Sequence, residues 1–335
     1  MVDPSEIDTH YPMQALIQDI QSGNRRALSK AISMAESSLE SDRNATEELL
    51  HALIDQTGKA KRIGITGSPG VGKSTFIETF GLSCIEQGER IAVLAIDPSS
   101  QSHGGSILGD KVRMPLLARS EHAYIRPSPS RLTLGGVSNA TREAALLCEA
   151  AGFSTIIIET VGVGQSEVEV RSITDVFLLL MLPNAGDEIQ GIKRGIMELS
   201  DIIFINKADG DLLPFAELAA SQVRSALTLM HSPTTNWNVP VLTGSGLYKQ
   251  GIQELLSKCT AFFDANSEHY HSILERREQQ TQEWFELALH RELIIWAEQQ
   301  QSWNTAKQQI LQTIHNNKLV PSIAARSLIK TLFKQ

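Results

Sequence analysis

The pattern of apolar and polar positions divides the chain into three parts. Between roughly residues 11 and 56, apolar side chains recur every three or four positions, which is helical spacing. From Lys61 onward, short apolar runs alternate with helix-like stretches; the runs are RIGITG, RIAVLAID, STIIIET, DVFLLLML, DIIFINK and VPVLTG. This alternation is typical of βαβ units around a mostly parallel sheet with helices on both faces. We therefore predict an α/β fold.

The apolar pattern becomes helical again beyond about residue 264. Two or three helices are expected there. They either pack on the sheet of their own chain or form an extended arm whose apolar face is buried against a second subunit. The predicted domains are a helical extension at residues 1–60, an α/β domain at residues 61–264 and a helical segment at residues 265–335.

Charge and apolar content exclude several classes of function. The formal charge is −8 and no long run of Lys or Arg occurs, which argues against binding of nucleic acid through phosphate neutralisation. The N-terminal stretch lacks the basic start and apolar core of a secretory signal. The longest apolar run, VFLLLMLP, is far shorter than the ~20 residues that cross a bilayer. We expect a soluble, cytoplasmic protein that binds neither nucleic acid nor membrane.

The three cysteines lie far apart and form no C-x-x-C pair; they are Cys84, Cys148 and Cys259. Such spacing indicates neither a disulfide framework nor a zinc site. We expect each cysteine to be a small, buried or half-buried apolar residue.

The stretch GSPGVGKST matches the phosphate-loop pattern G-x-x-x-x-G-K-S/T, and it follows a predicted strand and opens a predicted helix. Its glycines allow consecutive backbone N–H groups to point at phosphate oxygens beside the positive end of the helix. Lys73 is expected to reach the β- and γ-phosphates, Ser74 to bind Mg²⁺, and Thr75 to contact the α-phosphate. The candidate nucleotide-binding residues are Gly67, Ser68, Pro69, Gly70, Val71, Gly72, Lys73, Ser74 and Thr75.

The stretch FINKADGD indicates which base is bound. Asn206, Lys207 and Asp209 are spaced as N-K-x-D at the end of a predicted strand, where ligands bind in open α/β sheets. An ionised Asp209 accepts hydrogen bonds from N1–H and the 2-amino group of guanine, whereas adenine has no N1–H. Two such bonds favour guanine by roughly 3 to 6 kcal/mol, about a hundredfold to ten-thousandfold.

The other two members of that motif have expected roles as well. The stem of Lys207 is expected to cover a face of the base, and Asn206 to brace the phosphate loop. Downstream, VLTGSGL closes another strand, and the backbone N–H groups around Ser245, Gly246 and Leu247 are candidates to donate to guanine O6.

Three acids at strand ends or in turn-rich loops are candidates for the magnesium site: Asp97, Asp110 and Glu159. Because Mg²⁺ keeps several waters in a near-octahedral oxygen shell, these acids would bind it largely through water, with Ser74 and phosphate oxygens completing the shell.

The stretch IIIETVGVGQSE follows the sensor-turn pattern of nucleotide hydrolases with two changes. Its acid is a glutamate, and Val163 rather than a catalytic glutamine follows Gly162. We expect the Gly162 N–H to sense the γ-phosphate and Gln165 to be a candidate for contacting water. The missing glutamine predicts slow turnover without a partner. A further loop, LPNAGDEIQGIKRG, is either a helix start with favourably placed charges or a segment that senses nucleotide or partner.

Seven stretches together resemble the MeaB/ArgK family of P-loop GTPases, which belongs to the SIMIBI class and is related to the human methylmalonic aciduria type A protein. They are GSPGVGKST, AIDPSS, GGSILGDKVRM, RPSPS, ETVGVGQSE, GDEIQGIK and NKAD. The resemblance implies a P-loop GTPase domain that binds GTP or GDP with Mg²⁺, and a cytoplasmic homodimer formed through a C-terminal helical dimerisation arm. It also implies a metallochaperone that assists, protects or reactivates adenosylcobalamin-dependent methylmalonyl-CoA mutase or a related mutase. A cobalamin adenosyltransferase would then be a second partner.

Carried over residue by residue, the resemblance assigns Asp97, Asp110 and Glu159 to the magnesium site. It makes residues 182–193 a third switch in which Lys193 contributes to activation of GTP hydrolysis. The candidate catalytic residues are Lys73, Glu159, Gly162 and Lys193. Three alternatives remain: a nickel-delivery GTPase, an ArgK-like nucleotide-dependent kinase or transport ATPase, and a scaffold that binds nucleotide without hydrolysis.

Overall fold

The described residues contain a seven-stranded parallel sheet. The computed structural model describes residues 12–97, 113–129, 136–160, 166–183, 194–316 and 319–332. The strands are β1 (Lys61–Gly67), β2 (Ile91–Asp97), β3 (Ala123–Pro129), β4 (Thr155–Glu159), β5 (Val176–Met181), β6 (Ile202–Ile205) and β7 (Val241–Thr243). Their order across the sheet is β3-β2-β4-β1-β5-β6-β7.

Helices precede, separate and follow the strands. Before the sheet lie α1 (Met13–Gln21), α2 (Arg25–Ala35) and α3 (Glu40–Leu53). Between the strands lie α4 (Lys73–Glu86), α5 (Pro115–Arg119), α6 (Gly136–Ala150), α7 (Ser166–Arg171), α8 (Arg194–Leu199) and α9 (Leu213–Leu227). After the sheet lie α10 (Ile252–Phe262), α11 (Tyr270–Gln299), α12 (Gln301–His315) and α13 (Pro321–Leu332). The predicted α/β class, the helices before Lys61 and the three final helices are confirmed.

All six apolar runs are strands, but the sequence prediction missed β3. This strand contains Pro127 and Pro129, which donate no backbone hydrogen bond and rarely occur within a sheet. The structure accommodates both because, among the described strands, β3 lies at the edge of the sheet and pairs with β2 alone. Edge strands tolerate proline because one side of their backbone has no partner strand.

The apolar side chains of successive strand residues alternate between the two faces of the sheet. On one face, Ile63, Ile157 and Val93 pack in a cluster with Phe76 and Phe80 of α4. On the other face, the central strands pack with α6 and with the helices before the sheet; this cluster includes Leu94, Ile156, Ile158, Leu147, Leu28 and Leu49. A third cluster joins the far strands to α9 through small residues such as Ala216 and Ala220. Both faces are therefore covered, as the continuously apolar strands predict.

The helices before the sheet contribute side chains to the hydrophobic core. Ile20, Leu28 and Ile32 are fully or almost fully buried. Asn24 caps the start of α2, because its side-chain oxygen accepts hydrogen bonds from the backbone N–H groups of Arg26 and Ala27. Polar contacts also reach the edge strand, where the Ser29 and Tyr124 hydroxyls lie 3.1 Å apart.

The chain divides into two compact units, Met1–Gln280 and Thr281–Gln335. The predicted boundaries at residues 60 and 264 stay predictions. Within the second unit, several large apolar side chains on the helices are exposed, among them Phe285 (64%), Leu293 (49%) and Trp296 (54%). None of the described helices is long and apolar enough to cross a membrane.

Candidate nucleotide-binding site

The phosphate loop connects the central strand β1 to α4. Gly70 and Gly72 have φ angles of 80° and 91°, a region that favours glycine. Helix α4 begins at Lys73, and Gly72 occupies the capping position, so no side chain caps the first N–H groups of the helix. Uncapped N–H groups at a helix start attract anions. The loop therefore fits a phosphate group.

Close backbone packing fixes the start of this loop. A Cβ atom on Gly67 would lie 2.6 Å from the carbonyl oxygen of Leu180 in β5. The Lys73 ammonium donates to the Gly67 carbonyl at 2.8 Å, which places the charge over the loop. Glycine is thus required at position 67 by contact with the neighbouring strand, and the Lys73 ammonium lies at the phosphate loop.

Asn206 connects the phosphate loop with the loop that follows β7. It is 3% exposed at the end of β6. Its side-chain NH₂ donates to the Val71 carbonyl at 2.8 Å, and its side-chain oxygen accepts from the Gly246 N–H at 2.9 Å. The expected contact of Asn206 with the phosphate loop is present. One buried amide therefore sets the distance between the two loops.

Lys207 and Asp209 continue the same turn. Lys207 has a positive φ of 60°, and its ammonium donates to the Gly70 carbonyl at 2.8 Å. Its stem consequently lies along the phosphate loop. Asp209 is half-buried, and its side chain does not cap the short 3₁₀ turn Gly210–Leu212 that follows. The Ala208 N–H donates to the Gly244 carbonyl at 2.8 Å and joins the N-K-x-D turn to the next loop.

The loop at residues 244–247 differs in detail from the sequence expectation. The Ser245 N–H donates to the Gln250 carbonyl at 3.0 Å, and the Gly246 N–H donates to Asn206. Two of the three N–H groups expected to donate to guanine O6 are therefore used within the protein. Ser245 is 1% exposed and helps to close this turn rather than to line an open surface.

Glu159 lies between the phosphate loop and the end of β2. It is 7% exposed and is paired in register with Ile65 of β1 and Ala95 of β2. The next residue, Thr160, donates its N–H to the Ile65 carbonyl, and the hydroxyls of Thr160 and Thr66 lie 2.8 Å apart. These contacts hold the acid beside the phosphate loop. No local pattern marks the Thr66–Thr160 contact, because the two residues are 94 positions apart.

The remaining candidates for magnesium binding and catalysis are placed only in part. The backbone of Asp97 lies at the end of β2, two residues beyond the position paired with Glu159. Asp110, Gly162, Gln165 and Lys193 lie outside the described residues. The described residues include no cluster of three or more His, Cys, Asp or Glu side chains placed to hold a metal ion. Ser74 at the start of α4 and Glu159 supply oxygen atoms, which suit Mg²⁺.

The cysteines are not part of this site. All three are buried, as expected, and none of them forms a disulfide bond. Burial raises the pKa of the Cys259 thiol to about 12, and it raises the pKa of Cys84 and Cys148 as well. A thiol with a raised pKa is a poor nucleophile and metal ligand.

A phosphate loop after the central strand and an N-K-x-D turn beside it, on a parallel sheet, define a P-loop GTPase fold. The sequence model of the family described as methylmalonyl Co-A mutase-associated GTPase MeaB matches residues 28–302, and the chain belongs to this family.

Similarity to individual proteins supports this assignment. A putative GTPase of Caulobacter vibrioides is 53% identical over 243 residues, which are 72% of this chain and 74% of the relative. A methylmalonic aciduria type A homolog of Caenorhabditis elegans is 39% identical over 96% of this chain and 83% of its own length. A crystal structure of an LAO/AO transport system kinase is similar with a TM-score of 0.72 and 34% identity, over 97% of this chain and 99% of the other. The family resemblance seen in the sequence is confirmed.

Proposed function

We propose that this protein is a Mg²⁺-dependent GTPase that assists an adenosylcobalamin-dependent mutase, of the methylmalonyl-CoA mutase type, by loading, protecting or reactivating it. The observation that carries the nucleotide part is the buried Asn206 amide, which joins the phosphate loop to the two loops that surround a guanine base in the proposed site. The mutase part is supported by the family description and by the nematode relative.

In the proposed reaction the chain mainly positions groups and neutralises charge, as in other phosphoryl transfers. The N–H groups at the start of α4 hold the phosphates, and the Lys73 ammonium neutralises charge that builds up on the β- and γ-oxygens. Asp209 holds the base, and the Lys207 stem covers it. No described side chain is assigned as a general base.

Ser74 and Glu159 are the described residues that would hold Mg²⁺, and Asp97 and Asp110 are proposed to complete the set. When bound, the ion would neutralise charge shared between the β- and γ-phosphates. Strand pairing with β1 and β2 fixes the backbone position of Glu159, and because Mg²⁺ keeps several of its waters, this acid would bind it largely through water. Gly162 is proposed to sense the γ-phosphate, Gln165 to contact water, and Lys193 to contribute to activation of GTP hydrolysis.

The oligomeric part of the proposal is a homodimer formed through the final helices. It is supported by the exposed apolar side chains of the second unit, since large apolar surfaces on a folded chain mark interaction sites. The cytoplasm is the proposed location, and cobalamin adenosyltransferase is the proposed source of the cofactor.

The test combines nucleotide hydrolysis with binding of a defined client. GTP and ATP hydrolysis are measured with and without purified adenosylcobalamin-dependent methylmalonyl-CoA mutase. Complex formation is measured with GDP and with a non-hydrolysable GTP analogue. We expect slow GTP hydrolysis that the mutase accelerates, and a complex whose stability depends on the nucleotide.

Other outcomes would point to the alternatives. Equal use of ATP and GTP, with phosphate transferred to an acceptor, would support the kinase function named for the similar crystal structure. Binding of GTP without hydrolysis in the presence of the mutase would support a scaffold. Tight nickel binding in a metal titration would support a nickel-delivery GTPase.

A further inference from the structure

Thr79 of α4 holds the loop that lies beside the N-K-x-D turn. Its side chain is almost fully buried, and its hydroxyl donates to the Gly246 carbonyl at 2.6 Å. Gly246 itself lies against α4, because a Cβ atom there would be 2.9 Å from the Phe76 Cα. The helix that carries the phosphate loop at its start therefore also fixes the loop after β7.

The hydrogen bonds of this loop leave one backbone donor for a ligand. The N–H groups of Ser245 and Gly246 are bonded to Gln250 and Asn206. The Leu247 N–H has no protein partner in the part of the chain that the structure describes. The carbonyl of Gly246 and the N–H of Leu247 belong to one peptide group, and no described peptide bond is cis. In a trans peptide these two groups point in opposite directions.

We propose that Thr79 is a positioning residue for base recognition, which orients the Leu247 N–H toward the O6 atom of guanine by holding the Gly246 carbonyl. This inference rests on the proposed binding of GTP. Adenine carries an amino group at the same position, so the Leu247 N–H would meet a second donor instead of an acceptor. The peptide would then reject adenine independently of Asp209.

The test uses two nucleotides that differ only at this atom. In 6-thio-GDP a sulfur replaces O6, while the N1–H and the 2-amino group that Asp209 would contact are kept. Sulfur is a weak acceptor. Binding of GDP and 6-thio-GDP to the full chain is measured by calorimetry for the wild type, Thr79→Val, which keeps the shape without the hydroxyl, and Thr79→Ser, which keeps the hydroxyl.

We expect Thr79→Val to weaken GDP binding roughly three- to tenfold, the size of one hydrogen bond, and to weaken 6-thio-GDP binding less than about twofold. Thr79→Ser should bind both nucleotides as the wild type does. Thr46→Val is the matched control, because Thr46 is also buried in a helix with its hydroxyl bonded to a backbone carbonyl, that of Asp42. It should leave both affinities unchanged.

Equal weakening of both nucleotides, or of neither, would overturn the positioning role. If Thr79→Val fails to fold, as judged by its melting curve, Thr79→Ala removes the same hydroxyl without a new methyl contact and must show the same selective loss. A wild-type protein that binds ADP as tightly as GDP would overturn the proposed function itself. A wild type that prefers GDP, with equal losses in the variant, would overturn only the role of Thr79.

Discussion

The two ends of the parallel strands carry different chemistry. The carboxyl edge of the sheet is the side on which the strands end, and the amino edge is the side on which they begin. At the carboxyl edge, glycine backbone, one buried amide and two lysines surround the phosphate loop. At the amino edge, Asp175 and Asp201 are fully buried just before β5 and β6. Each is paired with arginines from helices. The first edge presents donors to a ligand, whereas the second satisfies its charges within the protein.

The amino edge also fixes the start of the long helix α11. Arg276 lies 3.4 Å from an Asp201 oxygen, and Arg277 donates to both oxygens of Asp175 at 2.7 Å. Asp201 also pairs with Arg171 at the end of α7, at 3.2 Å. Burial lowers the pKa of Arg171 to about 10, although Asp201 acts to raise it. For Arg277, the hydrogen bonds and charge of Asp175 outweigh burial, and the pKa is raised. Removing one partner of a buried ion pair of this kind strongly lowers the stability of the fold.

The largest expected effect on nucleotide binding lies at the carboxyl edge. Asp209→Asn should weaken GTP binding about a hundredfold or more, because it removes a charged acceptor from the base. Unfolding free energy should change by less than ~0.5 kcal/mol, since the site is at the surface of the fold. Nucleotide titration and urea unfolding measure the two quantities. Asp211→Asn, an exposed acid two residues later, is the control. Unchanged GTP affinity in Asp209→Asn would remove the assignment of the base.

Asp201→Asn should have the opposite effect: it should lower stability and leave GTP affinity unchanged. Loss of the carboxylate leaves Arg171 and Arg276 without their buried counter-charge, so the unfolding free energy should fall by about 3 to 5 kcal/mol. Urea unfolding followed by tryptophan fluorescence reports the change, because the Trp237 indole donates to the Asp201 carbonyl. The folded variant should still bind GTP normally. The exposed Asp55→Asn is the control, and a loss below ~1 kcal/mol would contradict a structural role for the pair.

Asn206→Ala should lower both the unfolding free energy and the nucleotide affinity. At this residue the separation between a binding edge and a structural edge does not hold. It leaves the Val71 carbonyl and the Gly246 N–H without their partner, which costs about 1 to 3 kcal/mol of stability. Nucleotide affinity should fall as well, because the two loops lose their fixed separation. Asn238→Ala, on an exposed position before β7, should change neither. A loss of stability with unchanged affinity would show that the bridge is structural only.

The smallest expected effect on stability is that of replacing Glu89 at the amino edge. Burial acts to raise its pKa, but hydrogen bonds from Lys61, Ser154 and Thr155 together lower it below the 4.5 of an ordinary glutamate. A lowered folded pKa gives stability that is present at neutral pH and is lost as the pH falls through that value.

Glu89→Gln should therefore cost about 0 to 1 kcal/mol at neutral pH, since the pair with Lys61 is partly exposed. The difference from the wild type should disappear in acid. Urea unfolding across a pH series measures it, with the exposed Glu86→Gln as the control. A difference that grows toward low pH would contradict this sign.

The sequence predicted the carboxyl edge far better than the amino edge. Phosphate loops and N-K-x-D turns are short local patterns, so their residues can be assigned before the fold is known. Asp175 and Asp201 also stand next to apolar runs, but their arginine partners Arg277 and Arg276 lie 102 and 75 residues away. No local pattern marks such a pair. Thr79 was missed for the same reason, because its partner Gly246 is 167 residues away.

The helices before the sheet are synthesised long before the elements that they pack against. Helix α2 contacts β3 through Ser29 and Tyr124, which are 95 residues apart, and Glu36, which directly follows the helix, pairs with Arg126, 90 residues away. The central strand β1 likewise lies between β4 and β5, which are made much later. Such distant pairings slow folding, because a long loop must close before any contact forms. The apolar side chains of α1 to α3 that pack on β4 and α6 therefore have no partner until those elements have been translated, and apolar surface exposed in this way favours aggregation.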